Sequence, residues 1–375
     1  MRCRASIASV FFRSATGLLA AAAIIGIPPA RAGVAIANVQ LAVAPARLDI
    51  FGSATLGCTP RIDRIAVDGS DVSAILRTAE TGCRPGPSHP FHLTSNLAQA
   101  AALPQPLPLG VYRIRVYDSP SSGLDLIAFR VVDTTPVADA PLPESGFWWS
   151  VSADDGSPAG AATGVGIERQ GQDLAAELYG FDDAGAPTWF FGSGTLRGRT
   201  ALVPLVKLAG GTPLFHGGGS AVPNATGGPQ LDIVFDSPTS AHAYLVRTDP
   251  SGRVDVRSMA IARTPFAATP PGHTWAGRWV MVGNGDVRPV PQVFDFSAVG
   301  SVDSVRFTLS DAAADATLDC RLAEGTTRAD LCTLSVGALP LATFDKVGID
   351  HMAGIAEDGS RVELVRVPHR TGRGE

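Results

Sequence analysis

The sequence predicts an all-β protein built from several consecutive units. Three observations carry that expectation. Gly and Pro together make up 70 of 375 residues, against an average of about 12%, while charged residues are only 17%. Apolar residues alternate with polar ones at period two in run after run, and no long stretch keeps a helical period. Turn-forming clusters separate the runs. The same composition excludes a coiled coil, a charge-driven disordered chain and a basic nucleic-acid binder.

The chain opens with Arg2, Arg4 and Arg13, an apolar run from Leu18 to Ile27, and Ala30-Arg31-Ala32 before Gly33. That order reads as a secretory signal peptide over residues 1–32, with cleavage expected after Ala32 and a secreted or periplasmic location. The apolar core is shorter than the roughly 20 residues of a membrane span, and no later stretch approaches that length, so no transmembrane segment is expected in the mature chain. Removing residues 1–32 takes away four arginines and no acid, so 30 basic residues become 26 against 35 acidic ones, and the net charge moves from −5 to −9. A mildly acidic exported chain has no electrostatic basis for holding nucleic acid. Four cysteines remain after cleavage. An even count in an exported chain reads as disulfides, and the gaps suggest Cys58–Cys83 and Cys320–Cys332. The close CxxC pairs of a zinc site are absent.

Pro-rich stretches at 134–144 and 264–272 read as linkers. They leave units at 34–133, 145–263 and 273–368, with a polar tail at 369–375. In the first unit, Val72, Ala74 and Leu76 alternate with polar neighbours, as do Tyr112, Ile114 and Val116, and then Ile127, Phe129 and Val131. Each run is a half-buried strand. Gly110-Val111-Tyr112 places a Gly-x-Tyr at a strand start, as the penultimate strands of Ig-like sandwiches do. Gly52-Ser53-Ala54-Thr55-Leu56-Gly57-Cys58-Thr59-Pro60, Cys83, and Pro108-Leu109-Gly110-Val111-Tyr112 together resemble a small Ig-like domain of exported bacterial proteins, over roughly 42–133. The resemblance implies two cysteines paired near one end of the sandwich, and a spacer or adhesive module with no activity attached.

The second unit holds eight strand-like runs: 147–152, 163–169, 173–181, 187–195, 201–208, 230–237, 241–248 and 254–263. Asp182-Asp183-Ala184-Gly185 and Asp249-Pro250-Ser251-Gly252 supply turns between them. Eight short strands in succession predict an antiparallel meander, closed as a small barrel or folded as a sandwich. Gly146-Phe147-Trp148-Trp149, Gly164-Val165-Gly166-Ile167-Glu168, and Tyr179-Gly180-Phe181-Asp182-Asp183-Ala184-Gly185-Ala186-Pro187-Thr188-Trp189 resemble a Trp/Gly-rich β repeat family of exported proteobacterial proteins, over about 145–265. No function attaches to that family. The chain departs from the repeat by an insertion from Ala153 to Ala161, by Val165 in place of an aromatic, and by Gly180-Phe181 inside the Tyr-Asp step.

The third unit opens His273-Thr274-Trp275-Ala276-Gly277-Arg278-Trp279, an echo of the same repeat, and lacks its Gly-x-Pro-x-Trp part. Strand-like runs fall at 288–297, 304–310, 316–322, 331–336 and 361–367. They describe a diverged second β unit pinned by Cys320–Cys332.

Signatures of chemistry are sparse. There is no Gly-x-Ser-x-Gly elbow, no Walker loop and no His-Glu-x-x-His. His89 and His92 are a close pair in a Pro-containing segment and lack a third ligand, so neither a metal nor another cofactor is expected. Asp154-Asp155 and Asp182-Asp183 fall in turns, where neighbouring carboxylates diverge and cannot straddle one bond. Aromatics carry the main signal. Trp148, Trp149, Tyr179 and Trp189 all lie inside the repeat motif and are the candidate binding residues. Adjacent Trp148 and Trp149 must face opposite sides of a strand, so one fills the interior while the other, with Tyr179, can stack on a sugar ring or a partner's side chain. The expected role is an exported non-catalytic binding or scaffold protein, whose partner is a protein, a glycan or a small apolar ligand. One alternative is a carrier holding a small apolar ligand inside a β-barrel. A second is an exported hydrolase whose site is not visible in the sequence, which a cleft bringing His216, beside Gly217-Gly218-Gly219-Ser220, or His242 within reach of a Ser and an Asp would reveal.

Overall fold

The computed structural model describes residues 33–367 apart from breaks at 57–58, 78–84, 102–105, 120–122, 137–139, 152–162, 212–218, 224–227, 266–271, 284–290, 297, 304, 325 and 327. The signal region, Cys58, Cys83, Asp154-Asp155, His216 and the tail therefore lie outside the described residues. All three units are β-structures, as the alternation and turn chemistry predict.

The first unit contains β1 (Val34–Val43), β2 (Ala46–Leu56), β3 (Arg61–Asp68), β4 (Asp71–Arg77), β5 (Pro85–Asn96), a short helix α1 (Leu97–Ala101), β6 (Val111–Asp118) and β7 (Asp125–Asp133). They make two sheets, β1-β2-β5 and β3-β4-β6-β7. Leu48 and Ile50 from one sheet bury against Val72, Ala74, Leu76, Ile114 and Val116 from the other, in a single core. This is the expected sandwich. The Gly-x-Tyr does stand at a strand start, and Tyr112 donates its hydroxyl to the Pro108 carbonyl at 2.7 Å, a corner contact that ties β6 to the chain before it. One pairing departs from a simple antiparallel layout. β4 runs parallel to β6, with β5 of the opposite sheet as the crossover between them.

The second unit contains β8 (Gly146–Val151), β9 (Gly164–Gln170), β10 (Asp173–Phe181), β11 (Pro187–Arg197), β12 (Thr200–Val206), β13 (Leu208–Gly210), β14 (Ala221–Pro223), β15 (Gln230–Ser237), β16 (Ser240–Thr248) and β17 (Val254–Arg263). Eight of these close into a barrel, with β17 returning to β8, while β13 and β14 pair separately as a small flap. The choice between barrel and sandwich is thereby resolved. An eight-stranded barrel is just wide enough for side chains to fill. Trp148, fully buried, meets Phe235 edge-on at 5.7 Å inside it. Asp182 and Asp249 each cap a turn in the same way: Asp182 Oδ1 accepts the N–H of Ala184 at 3.0 Å and of Ala186 at 2.9 Å, and Asp249 Oδ1 those of Ser251 at 2.7 Å and Arg253 at 3.0 Å.

The third unit contains β18 (Gly277–Gly283), β19 (Gln292–Phe296), β20 (Ala298–Val302), β21 (Arg306–Asp311), β22 (Ala316–Leu322), β23 (Ala329–Val336), β24 (Leu339–Val347), β25 (His351–Ala356) and β26 (Arg361–Arg366). Their order is β19-β18-β26-β25-β24-β23-β22-β21-β20. The two end strands, β19 and β20, follow one another in the chain and β19 also lies against β21, so this nine-stranded sheet curls round into a second, barrel-like form. The sequence runs located β19, β21, β22, β23 and β26 and missed the others. β24 carries Pro340, and β25 carries Gly354, where a Cβ would lie 1.9 Å from the Thr343 carbonyl oxygen. Both residues weaken a strand signal, and Gly354 also lets β25 approach β24 closely. Cys320 and Cys332 sit opposite each other on β22 and β23 and form a disulfide inside this core.

Around one buried Trp each, the two barrels share the same local register. Trp148 pairs with Val165 and Arg263, and Trp279 with Phe294 and Arg366. Two residues before each Trp is a glycine at positive φ, 139° at Gly146 and 138° at Gly277. Each Trp Nε1 donates four residues back, to Glu144 O at 3.2 Å and Trp275 O at 2.8 Å. Each terminal Arg bonds the carbonyl before the glycine: Arg263 to Ser145 at 3.1 Å and Arg366 to Ala276 at 2.6 Å.

The sandwich and first barrel share a small core in which Phe129 of β7 packs with Val234, Tyr244, Val246 and Val254. The barrels meet at Glu144, whose Oε1 accepts the N–H of Asp350 at 2.6 Å and of His351 at 3.0 Å. The end of the 134–144 stretch is therefore a packed junction, with Ala140 and Glu144 buried, and not a free linker.

Candidate functional site

The four candidate aromatics divide between the two sides of the barrel wall. Trp148 belongs to the interior and takes no part in any surface. Its neighbour Trp149 faces outward, as the period of a strand requires. Tyr179 pairs with both Gly164 and Trp189, and Gly164 pairs with Trp149. Trp149, Gly164, Tyr179 and Trp189 thus form one row across β8, β9, β10 and β11.

Three further aromatics join this face. Phe147, Phe181 and Phe191 each lie two residues from a member of the row and share its side of the sheet. The alternation was the signal that could have found them. Tyr179 is 40% exposed, Phe181 60%, Trp189 46% and Phe191 39%. Phe147 lies 5.5 Å from Trp149 and 6.2 Å from Tyr179, centroid to centroid, with tilted planes.

Gly164 is what lets the rings lie flat. A Cβ there would come within 2.5 Å of Phe147 and 3.1 Å of Trp149. Glycine lowers the floor of the shelf so that two rings fold over it. Polar groups sit within the apolar surface. The Tyr179 hydroxyl donates to Glu177 Oε2, and that bond pushes the phenol pKa up, keeping the hydroxyl protonated as a donor. Glu177 faces Gly166 on one side and Phe191 on the other.

The second barrel repeats the fold without this face. By register, Arg278 and Val280 stand where the first barrel has Phe147 and Trp149, and Val293 and Asp295 where it has Gly164 and Gly166. Its hairpin is also shorter. β21 and β22 turn after the Asp311–Ala316 pair, whereas β10 and β11 continue to Phe181–Pro187. The extra length carries Tyr179, Phe181 and Trp189.

The histidine candidates of the sequence lie away from the aromatic face. His92 Nε2 contacts Asp49 at 2.9 Å and stacks on Phe51 at 4.2 Å. His242 Nδ1 contacts Asp236 at 2.8 Å, and among the described residues no hydrogen bond joins it to a serine. No group of three His, Cys, Asp or Glu side chains among the described residues is placed to hold a metal ion. No helix among them is long and apolar enough to cross a membrane. No protein-family model matches the chain, and no curated protein sequence matches it.

Proposed function

We propose that this chain is an exported, non-catalytic binding protein that holds a glycan on the outer face of its first barrel. The observation that carries this reading is the pair of barrels itself. A similar fold forms in the second barrel without outward aromatics and without the long β10–β11 hairpin, so folding does not require either. Exposing this many large rings has a cost in solubility that a binding role offsets.

A sugar suits the surface better than a flat apolar partner. Trp149 and Tyr179 sit two strands apart, about 10 Å, roughly the length of a disaccharide. Pyranose rings present C–H faces that lie on aromatic rings, and their hydroxyls need acceptors and donors at the edge. Glu177 and the Tyr179 oxygen, whose own proton lies on Glu177, supply the acceptors for sugar hydroxyls. The barrel interior, meanwhile, is occupied by side chains such as Trp148 and Phe235, which favours the outer wall over an internal carrier site.

The test is a glycan array with the mature chain, followed by calorimetry on the retained polysaccharide. Trp189→Ala and Tyr179→Ala should each weaken binding by about tenfold or more and leave the melting temperature within a few degrees, since both side chains are exposed. Retention of no glycan by the parent, or unchanged affinity in both variants, would overturn the reading.

A further inference from the structure

Between the sandwich and the first barrel lies a cleft of about 540 Å³, within the roughly 300–1,000 Å³ range of small-molecule sites. Arg113 and Arg115 stand two apart on β6 and point from the same face into it. Asp71, on the neighbouring β4, accepts from Arg113 Nε at 3.0 Å, from Arg113 Nη2 and from Arg115 Nη1. Two guanidiniums thus share one carboxylate, which leaves one positive charge in excess. Each Arg carries five N–H donors; Asp71 takes three of the pair's total and Tyr244 takes another from Arg113, which leaves Arg115 the more open of the two. Arg115 also lies over the Phe129 ring, 5.6 Å from its centroid, which holds the guanidinium in place.

The barrel wall contributes Tyr244 and Ser258, directly opposite each other on β16 and β17, with His242 one step along the same outward face. His242 rests on Asp236, whose carboxylate pushes the imidazole pKa up. Leu126 and Val256 make the apolar part of the lining. None of these residues belongs to the aromatic row.

We propose that this cleft is a second binding site, which takes a small monocarboxylate with an apolar body. The carboxylate meets the remaining N–H groups of Arg113 and Arg115, because a planar fork of donors matches two carboxylate oxygens at once. The apolar body lies along Leu126 and Val256, and Ser258 and His242 offer hydrogen bonds at the rim. The excess of guanidinium over Asp71, beside the His242–Asp236 pair, suits a monoanion. Asp71 and Asp236 both stay in place and repel a second negative charge, so a dianion such as phosphate is disfavoured.

Isothermal titration of the mature chain with benzoate at pH 8 tests this, with benzyl alcohol as the neutral counterpart and inorganic phosphate, mostly the dianion at that pH, as the doubly charged one. Benzoate should bind saturably at one site per chain, benzyl alcohol should not, and phosphate should be at least about tenfold weaker. Arg115→Gln and His242→Gln should each weaken benzoate by about tenfold or more, whereas Trp189→Ala should leave it unchanged. His242 is the more exposed of the two, so its variant reports even if Arg115→Gln disturbs folding. Three results would overturn the site: no saturable benzoate binding, phosphate binding as tight as benzoate, or full affinity in His242→Gln. Each is independent of whether the aromatic face holds a glycan.

Discussion

Asp232 shows how a single residue on the outer wall of the first barrel is tuned by its burial under the sandwich. It is 2% exposed on β15, beside Gln230 and within electrostatic reach of Arg130 of β7. Burial outweighs those partners and pushes its pKa up to about 6. In the unfolded chain the group titrates near about 3.9. Between these two values the folded state keeps a proton that the unfolded state has lost. Stability is therefore favoured below about pH 4, falls as pH rises to about 6, and levels off above. Asp232→Asn removes the charge and keeps the shape. The variant should be more stable than the parent above pH 6, by up to about 3 kcal/mol for a shift of about two units, with the difference fading below pH 4. Denaturant titrations at pH 4, 5, 6 and 7.5 read this directly. A gain that is the same at every pH would show that charge burial is not the cause.

At the scale of elements, strands were legible wherever one face is buried and the other wet. β4, β6, β10 and β12 have that alternation, β15 is buried on both faces where the sandwich covers it, and the expected limits of all eight barrel strands still fall within a few residues of those observed. Legibility failed where backbone approach mattered more than side-chain pattern, as in β24 and β25 with Pro340 and Gly354. The aromatic face was legible in part. Trp149, Tyr179 and Trp189 stood out by residue type, but Phe147, Phe181 and Phe191 were hidden until the strands were aligned side by side. Gly164 was visible only as a repeat residue, and its role as a floor needs the ring positions. The β10–β11 hairpin gives the corresponding test. Replacing residues 179–189 with Asn-Gly joins Leu178 to Phe190 through a two-residue turn, at the place where β21 and β22 turn in the second barrel. The shortened protein should fold, with a far-ultraviolet spectrum like the parent's and a melting temperature within about 5 °C, and should lose glycan retention. A collapse of the fold would mean that the hairpin tip is structural, contrary to the comparison of the two barrels.

For the whole molecule, the junction between the barrels decides whether three units behave as one. Glu144 precedes the first barrel, Arg263 ends it, and Asp350 belongs to the turn between β24 and β25 of the second. Arg263 lies 3.3 Å from Glu144 and 3.0 Å from Asp350, and Arg366 closes the cluster 3.6 Å from Asp350. Glu144 and Arg263 are both largely buried, and Gly348 makes the approach possible: a Cβ there would fall 2.3 Å from Glu144 Oε1. Breaking a buried pair by removing one partner costs about 3–5 kcal/mol, because the other charge and the two backbone N–H groups lose their acceptor. Glu144→Ala should therefore split the calorimetric transition, with the second barrel, pinned by Cys320–Cys332, melting apart from the sandwich and first barrel. Gly348→Ala makes the same prediction by a different route. It removes no charge, and its Cβ would press on Glu144 and on the His351 carbonyl of its own turn, at 2.5 Å, so a split in both variants alongside an unchanged melting of the second barrel assigns the coupling to the contact itself. A single unsplit transition in both would mean that the barrels are coupled elsewhere. In that case the region where Arg328 lies within electrostatic reach of Asp236 becomes the joint that holds them.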